Sequence, residues 1–224
     1  MTAPDGLCLR AESIPTTLIA DVLGDHGYPA QALSSTVQAP TTDIPRRAGR
    51  AFTVSGGPMT DCDAGPDLMK AAAIDEMSAG DIAVWAGGSV DDVCLFGDLL
   101  AAAMRVRGVR AAVVDGGFRD IDDIDPVHFP VFARYRTPRA STGVWRVRQV
   151  GEPVTMRGTL GEGVTVVPAD VVVADCNGAV VIPAAVAEEI VTACETHQSK
   201  EQQIRDRIEA GESVAQLLVE YGRI

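Results

Sequence analysis

The chain has 224 residues, of which 46% are apolar and only 4% aromatic, so we expect one sizeable core of Val, Ala, Leu and Ile. Its formal charge of −12 argues against nucleic acid as a partner, because phosphate binding needs clustered Lys and Arg. The charge does not exclude an anionic substrate, since one arginine and a cation can reverse the local field.

Composition and spacing also indicate the compartment. The sequence begins without the charged and apolar pattern of a signal peptide, and no apolar run approaches the roughly 20 residues that span a bilayer. Five cysteines are scattered without a CxxC pair, which is typical of reduced thiols. We therefore expect a cytoplasmic protein with no membrane partner.

The N-terminal segment predicts a helix followed by a connection. Residues 12–25 carry apolar residues at helical spacing, with Ser13 or Thr16 as the candidate cap and Pro15 in the first turn. Residues 28–47 are rich in Pro, Ser and Thr and predict an irregular connection.

The next part of the chain alternates strands and helices. Residues 50–55 predict a short strand, and the glycine-rich, acidic residues 56–65 predict a surface loop. Pro66 opens a predicted helix that ends near Gly80, and residues 81–85 have the length and composition of a buried strand.

A second unit of this kind follows. Residues 99–107 predict a strong helix, with Asp98 as its candidate N-cap. Residues 109–115 predict a buried strand that a turn at Gly116-Gly117 ends. A further helix is expected near Asp120 or Asp122 and before Pro126, and a strand interrupted by proline over 127–136.

The last third predicts a β-rich segment and then helices. Residues 144–183 contain five β-like runs, with a hairpin signal at Asn177-Gly178. From Ala184 to Gly211 we expect one long helix or two helices, and then a short helix capped by Ser213. A long charged helix outside the core indicates packing against another subunit. We expect a single domain in which residues 1–47 form an N-terminal arm, 48–183 an α/β core and 184–224 C-terminal helices.

Two places in this pattern predict ligand binding. At the start of the helix after Gly97, the Leu99 and Leu100 amides are free to hold a carboxylate, and Gly87-Gly88 lets the preceding loop approach closely. The alternative is plain capping by Asp98.

The second place is the pair Arg119-Asp120. Adjacent residues in a turn point in different directions, so arginine can bind a substrate carboxylate while aspartate holds a cation such as Mg²⁺. The alternative is an exposed salt bridge with an N-cap. Asp115 is a further candidate, although an Asp-Gly turn explains it.

Other candidates carry less information. His26, His128 and His197 lie far apart without ligand spacing. Asp61, Asp63 and Asp67 resemble a loose cation loop but lack the DxDxDG pattern, so a solvated loop is the better interpretation. GxSxG, GxxxxGK[ST], GxGxxG and HExxH are absent from the sequence.

The combined pattern is similar to a known family. The stretch FGDLLAAAMRVRGVRAAVVDGGFRDIDDI, followed by FPVFARYRTP, closely resembles the RraA-like family, whose hallmark is an acidic residue, twenty residues and then Arg-Asp. Here these are Asp98, the span 99–118 and Arg119-Asp120. GRAFTVSG, AGDIAVWAGG, ADCNGAVVIP and SKEQQIRDRIEAG extend the resemblance over nearly the whole chain. Pro168-Ala169-Asp170 departs from the family's Pro-Gly-Asp, and Gly117-Phe118 replaces its usual small residue before Arg-Asp.

The resemblance implies a fold, an activity and an assembly. The fold is a swivelling β/β/α α/β domain, assembled as trimers or as hexamers. The activity is that of a class II, Mg²⁺- or Mn²⁺-dependent pyruvate aldolase acting on 4-hydroxy-4-methyl-2-oxoglutarate-type substrates, with oxaloacetate decarboxylase activity.

The resemblance also implies roles for individual residues. Asp120 corresponds to the direct metal ligand, Asp98 to the residue that holds a water of the metal, and Arg119 to the ligand of the substrate's oxygens. The Leu99 and Leu100 amides, with Gly97 and the Gly87-Gly88 loop, bind its carboxylate. An acid from a neighbouring subunit completes the site, and Glu201 is the first choice and Glu195 the second.

The same family leaves a non-catalytic alternative open. Some of its members are regulators that bind and inhibit an endoribonuclease, and an acidic surface suits protein binding as well as solubility. A menaquinone methyltransferase activity is a third alternative, but the sequence has no glycine-rich nucleotide fingerprint to support it.

Overall fold

The computed structural model describes residues 5–60, 65–124 and 128–222, and these form six α-helices and ten β-strands. The helices are α1 (Gly6–Glu12), α2 (Thr16–Asp25), α3 (Leu68–Glu76), α4 (Asp98–Val106), α5 (Ala187–Glu209) and α6 (Val214–Tyr221). The strands are β1 (Arg47–Pro58), β2 (Asp81–Ala86), β3 (Cys94–Phe96), β4 (Ala111–Phe118), β5 (Val131–Arg136), β6 (Trp145–Val150), β7 (Val154–Arg157), β8 (Gly163–Val166), β9 (Val171–Asp175) and β10 (Gly178–Ile182).

Eight of these strands form one mixed sheet. Its order is β10-β9-β1-β2-β4-β3, with β5 paired to β4 and β6 paired to β1. The pairs β1–β2, β2–β4, β3–β4 and β4–β5 are parallel, whereas β6 and β9 run antiparallel to β1. The carboxyl ends of the parallel strands therefore meet at one edge, where α/β proteins place their ligands.

Different layers pack against the two faces of this sheet, because successive side chains of a strand point to opposite faces. Ile82 and Val84 face the two-stranded β7–β8 sheet, while Ala83 and Trp85 of the same strand face α3 and α4. The layers are therefore a small sheet, the large sheet and helices. The predicted α/β class with β/β/α layering and terminal helices is confirmed.

The N- and C-terminal helices cover the β9–β10 end of the sheet. α1, α2 and α5 pack against Val171, Val173 and Val180, all fully buried. No helix among the described residues is both long and apolar enough to cross a bilayer.

The N-terminal prediction was wrong in its details. Two helices replace the single one, because the chain turns at Ser13 and Pro15 occupies the N-cap position of α2. Ser13 ends α1 instead of capping α2. The Thr16 hydroxyl donates to Asp175 at 2.7 Å and so ties α2 to the sheet.

Two glycine-rich predictions were also wrong. β1 begins at Arg47 and continues through Gly56 and Gly57, because those glycines pair with β6. Gly116 and Gly117 lie within β4. Glycine was read as an ending signal at both places, but pairing with a neighbouring strand extends each strand.

Other corrections concern short elements. β3 was not predicted, since three residues are too few for a periodic pattern. The helix expected near Asp120 or Asp122 is a single turn in the described residues, with Ile124 N donating to Asp120 O at 3.1 Å. Pro126 lies outside the described residues.

The β-rich segment and the C-terminal helices follow the prediction more closely. All five expected strands are present, and β9 and β10 form the expected hairpin, with Asp175 paired to Gly178. Residues 187–209 form one helix, which resolves the alternative of one helix or two. Ser213 is the N-cap residue of α6, but its side chain makes no capping hydrogen bond.

Candidate functional site

The predicted site residues meet at the carboxyl ends of β3 and β4. β3 leads through Gly97 into α4, and β4 leads directly into Arg119 and Asp120. The two ends are tied together by Arg119 N, which donates to Phe96 O at 3.2 Å. The sheet topology therefore places the start of α4 beside the Arg-Asp pair.

Gly97 lies against the Asp120 carboxylate. A Cβ atom at Gly97 would lie 2.7 Å from Asp120 Oδ2, closer than real Cβ contacts allow. Asp120 itself has a left-handed backbone, with φ of 60°, which aspartate tolerates better than most side chains. Glycine at position 97 thus lets the carboxylate adopt this position, and a larger residue would displace it.

The start of α4 presents free amides, as predicted, but Asp98 does not cap it. Asp98 is the first helical residue, and the N-cap is Gly97, which has no side chain to cap with. The first helical hydrogen bond runs from Ala101 N to Gly97 O at 3.1 Å. The Leu99 and Leu100 amides therefore have no carbonyl partner within the helix, and their positive partial charge faces outward.

Arg119 and Asp120 contact each other. Arg119 Nε donates to Asp120 Oδ2 at 3.2 Å, and the two side chains are 42% and 31% exposed. This contact is the salt bridge of the alternative interpretation. Within the described ranges it is the single side-chain partner of the Asp120 carboxylate, so most of the carboxylate's hydrogen-bonding capacity remains open to a ligand.

The Gly87-Gly88 loop approaches the sheet closely. A Cβ at Gly88 would lie 2.6 Å from Gly56 O, and Gly88 has a left-handed φ of 68°. The indole of Trp145 donates from Nε1 to Gly87 O at 2.9 Å. The loop therefore lies against β1 and β6, and Trp145 fixes its path.

Asp115 has a structural role that the expected Asp-Gly turn does not explain. It is buried within β4 and accepts a hydrogen bond from Arg157 N at 2.8 Å, and Arg134 Nε lies 3.5 Å from its other oxygen. Burial raises the pKa of Asp115, and the hydrogen bond and charge of Arg157 oppose that change only in part. These contacts fasten β4 to β5 and β7.

Glu201 and Glu195 lie on α5, which packs against the β9–β10 end of the sheet. Glu201 lines a groove of about 610 Å³ between α2, α5 and α6. Glu195 is already engaged, because Arg10 Nε and Nη2 each donate to it at 2.9 Å. Since β9 is three strands from β4, or roughly 14 Å at ordinary strand spacing, neither glutamate joins Asp120 within one subunit.

The remaining candidates lie elsewhere. His26 contacts Val22 O through Nδ1, and His197 lines the groove on α5. Asp67 caps α3 through a hydrogen bond from Lys70 N. Asp61 and Asp63 lie outside the described residues, so the preferred interpretation of this segment as a solvated loop stays a prediction.

The donor set at Asp120 fits a hard divalent cation. Among the described residues no three His, Cys, Asp or Glu side chains cluster as a complete metal cage. Mg²⁺ favours one or two carboxylates with waters and substrate oxygens over such a cage. The Asp120 carboxylate is 31% exposed and has one side-chain partner among the described residues, so it meets this requirement and is the group that would hold the ion.

Two residues near this edge, Lys70 and Trp145, were not predicted as site residues. The Lys70 ammonium lies 5.1 Å from the centroid of the Trp145 ring, and Trp145 is buried. The only signal in the sequence was the scarcity of lysine, since just Lys70 and Lys200 occur.

Comparison with known proteins supplies the family. A family model described as RraA-like, Aldolase/RraA, matches residues 16–181, which is most of the chain. The chain belongs to the RraA-like family. The match includes every strand of the large sheet and the Asp98, Arg119 and Asp120 positions.

Individual RraA-like relatives differ in what their names say. A putative 4-hydroxy-4-methyl-2-oxoglutarate aldolase of Halalkalibacterium halodurans is 29% identical over 204 residues, 88% of each chain. An uncharacterized Methanocaldococcus jannaschii protein is 35% identical over 135 residues, 57% of this chain and 58% of that protein. The match therefore spans little more than half of that relative.

A solved RraA-like structure resembles the fold over nearly its whole length. It is Streptomyces coelicolor RraAS2, described as an unusual member of the RNase ES inhibitor RraA protein family. Its TM-score is 0.78 at 27% identity, covering 92% of this chain and 98% of that one. The family thus includes proteins named for catalysis and proteins named for inhibition.

Proposed function

We propose that this chain is a divalent-metal-dependent class II pyruvate aldolase that cleaves 4-hydroxy-4-methyl-2-oxoglutarate-type acids and decarboxylates oxaloacetate. The observation that carries the proposal is the junction at Gly97, where the free amides of α4 lie beside Arg119 and the half-open Asp120 carboxylate. The aldolase name of the Halalkalibacterium relative supports the same activity.

Each residue at the junction has a part in binding. The Leu99 and Leu100 amides hold the carboxylate next to the keto group, as helix N-termini hold anions. The Arg119 guanidinium binds the keto oxygen, and Asp120 would hold the Mg²⁺ or Mn²⁺ cofactor. When substrate binds, its keto oxygen replaces the Asp120 carboxylate as the main partner of the Arg119 guanidinium.

The chemistry is cleavage between C3 and C4 of the 2-oxo acid. The bonding electron pair moves onto the keto oxygen, giving a pyruvate enolate, and the other product is CO₂ or a second oxo acid. Arg119 stabilises the charge where it develops. The divalent ion, when bound, adds Lewis-acid stabilisation of the same charge.

Proton transfer completes the reaction. In retro-aldol cleavage a base removes the proton of the C4 hydroxyl, and in both reactions C3 of the enolate gains a proton. We assign this transfer to a water oriented by Asp98 and by Glu201 of the partner subunit, since both are carboxylates of the right chemical class. Glu201 can join the site only in a homo-oligomer, a trimer or a hexamer.

An assay for pyruvate tests the proposal. The purified protein is given oxaloacetate and 4-hydroxy-4-methyl-2-oxoglutarate with Mg²⁺ or Mn²⁺, and with excess EDTA. We expect metal-dependent pyruvate release from at least one acid above the spontaneous rate. The absence of release with every metal and substrate would overturn the proposal.

The similarity to RraAS2 favours a second candidate, a non-catalytic regulator of an endoribonuclease. This function predicts that the protein inhibits a ribonuclease E-type enzyme at stoichiometric concentrations without releasing pyruvate. Asp120→Asn separates the two functions, because it removes catalysis and leaves inhibition by the outer surface unchanged. Inhibition without pyruvate release would favour the regulator.

A further inference from the structure

We propose that Lys70 binds the distal carboxylate of the substrate and so selects 2-oxo acids that carry a second acidic group. The inference rests on the proposed function. It assigns a binding partner to the distal carboxylate of the substrate, which neither Arg119 nor the α4 amides bind. It comes from four features of the surroundings of Lys70.

The first feature is the fixed position of the ammonium. Lys70 is in the first turn of α3, and its ammonium lies over the buried Trp145 ring at 5.1 Å from the centroid. The indole is itself held by its hydrogen bond to Gly87 O. Trp145 therefore links Lys70 to the glycine loop at the carboxyl edge of the sheet.

The second feature is the lack of an anionic partner. Lys70 is partly buried, yet in the described ranges no carboxylate lies within salt-bridge distance of its ammonium. The nearest acid in sequence, Asp67, is engaged by amides, with Oδ1 accepting from Lys70 N at 3.1 Å and Oδ2 from Val147 N at 2.9 Å. A partly buried cation that contacts no carboxylate in the described part of the chain favours binding of an external anion.

The third feature is the proximity to the candidate site. Gly87, whose carbonyl accepts from Trp145, lies against β3, since a Cβ at Gly87 would be 2.7 Å from Leu95 Cδ1. Trp145 and Gly87 therefore connect Lys70 to the strand whose carboxyl end meets Arg119. In the proposed binding mode, Arg119 holds the keto end of a dicarboxylate and Lys70 receives its second carboxylate.

The fourth feature is the environment of the ammonium. Burial lowers the pKa of Lys70, while the charge of Asp67 opposes the change. A bound carboxylate would stabilise the charged form of Lys70 and so raise its pKa. The site is therefore better suited to a doubly acidic substrate than to pyruvate alone.

The experiment separates distal binding from the chemistry at Arg119. Exchange of the pyruvate methyl protons in D₂O with Mn²⁺ or Mg²⁺ needs enolate formation but no distal carboxylate. We expect Lys70→Met to exchange pyruvate protons within about twofold of wild type, while KM for oxaloacetate rises about tenfold and kcat changes less. This loss is the size of one charge-assisted hydrogen bond.

Two further variants keep the result interpretable. Lys70→Arg retains the charge and is expected to recover most of the oxaloacetate KM, which also covers the case in which Lys70→Met fails to fold. Arg107→Met removes one positive charge at the far end of α4, where Arg107 contacts Asp75, and is expected to leave both reactions unchanged.

The outcomes are distinct. An unchanged oxaloacetate KM in Lys70→Met, or an equal loss of both reactions in Lys70→Met and Lys70→Arg, would overturn the role of Lys70. If wild-type protein neither exchanges pyruvate protons nor cleaves oxaloacetate, the proposed function fails first and the inference with it.

Discussion

Two aspartates at opposite ends of the sheet show how the molecule uses carboxylates. Asp175, at the end of β9, is 5% exposed and accepts hydrogen bonds from Thr16, Arg46 and Asn177 at 2.7–3.1 Å. Asp120, at the end of β4, is 31% exposed and has Arg119 as its one side-chain partner among the described residues. A carboxylate whose oxygens are all hydrogen-bonded holds the fold together, whereas one with few hydrogen bonds is available to a ligand.

The comparison predicts a large effect on stability at one aspartate and a small effect at the other. Asp175→Asn places an amide against the Thr16 and Asn177 amides and removes the charge that pairs with Arg46, so we expect a loss of about 3 kcal/mol of unfolding free energy. Asp120→Asn keeps the left-handed backbone that asparagine tolerates and is expected to change stability by less than about 0.5 kcal/mol. Urea unfolding of both variants measures the difference. Equal losses would remove the distinction between the two ends.

The second prediction concerns the shape of the Arg119 cation. Arg119→Lys keeps the charge but loses the planar fork that fits a carboxylate or enolate, so kcat/KM for oxaloacetate should fall about a hundredfold. Arg107→Lys is the matched control, because Arg107 contacts Asp75 away from the site. Steady-state kinetics on both variants provide the test. Wild-type kinetics in Arg119→Lys would exclude Arg119 from the site.

The third prediction separates the two glutamates on α5. Glu201→Gln should lower kcat about tenfold or more, as loss of a general acid–base group does. Glu195→Gln breaks only the exposed contact with Arg10 and should leave kcat near wild type, with a stability change below about 1 kcal/mol. The reverse order would place Glu195 in the shared site.

The fourth prediction is the pH dependence of the Asp175 contribution. Burial alone would raise the pKa of Asp175, but the hydrogen bonds from Thr16, Asn177 and Arg46 outweigh it and lower the pKa below its ordinary value of 3.8. Because the folded pKa is depressed, the stabilisation is complete above that value and is lost as pH falls through the folded pKa. The Tm gap between wild type and Asp175→Asn should therefore be larger at pH 7 than at pH 3. A gap that widens on acidification would contradict this assignment.

Periodicity predicted the longer elements of the fold well. β2, β9 and β10 are apolar runs bounded by turn residues, and α4 and α5 carry helical sequences, so local sequence is enough to identify them. Asp175 was not foreseen as a structural hub. Its partners Thr16 and Arg46 lie more than 120 residues away in sequence, and only the fold brings them together.

Glycine caused most of the errors in the predicted strand ends, because whether a glycine ends a strand or lies within it depends on neighbours that are distant in sequence. Gly56 and Gly117 were read as breaks, yet each lies within a strand where a neighbouring ring or side chain fills the space of a Cβ. At the site, the sequence identified the α4 amides and Arg119-Asp120 as candidate ligand groups, but not β3, the strand that leads into α4 beside them. Sequence alone does not predict that the Asp120 carboxylate lies within 2.7 Å of the position of a Cβ at Gly97. It also does not predict that Lys70 of α3 packs on Trp145 near this edge.

The most direct test of the open carboxylate is the Mn²⁺ dependence of oxaloacetate decarboxylation in wild type and in Asp120→Asn, measured side by side. We predict a rate that saturates with Mn²⁺ in wild type and that falls on the order of a thousandfold in Asp120→Asn, with folding unchanged. An Asp120→Asn protein that keeps the wild-type, metal-dependent rate would contradict the account.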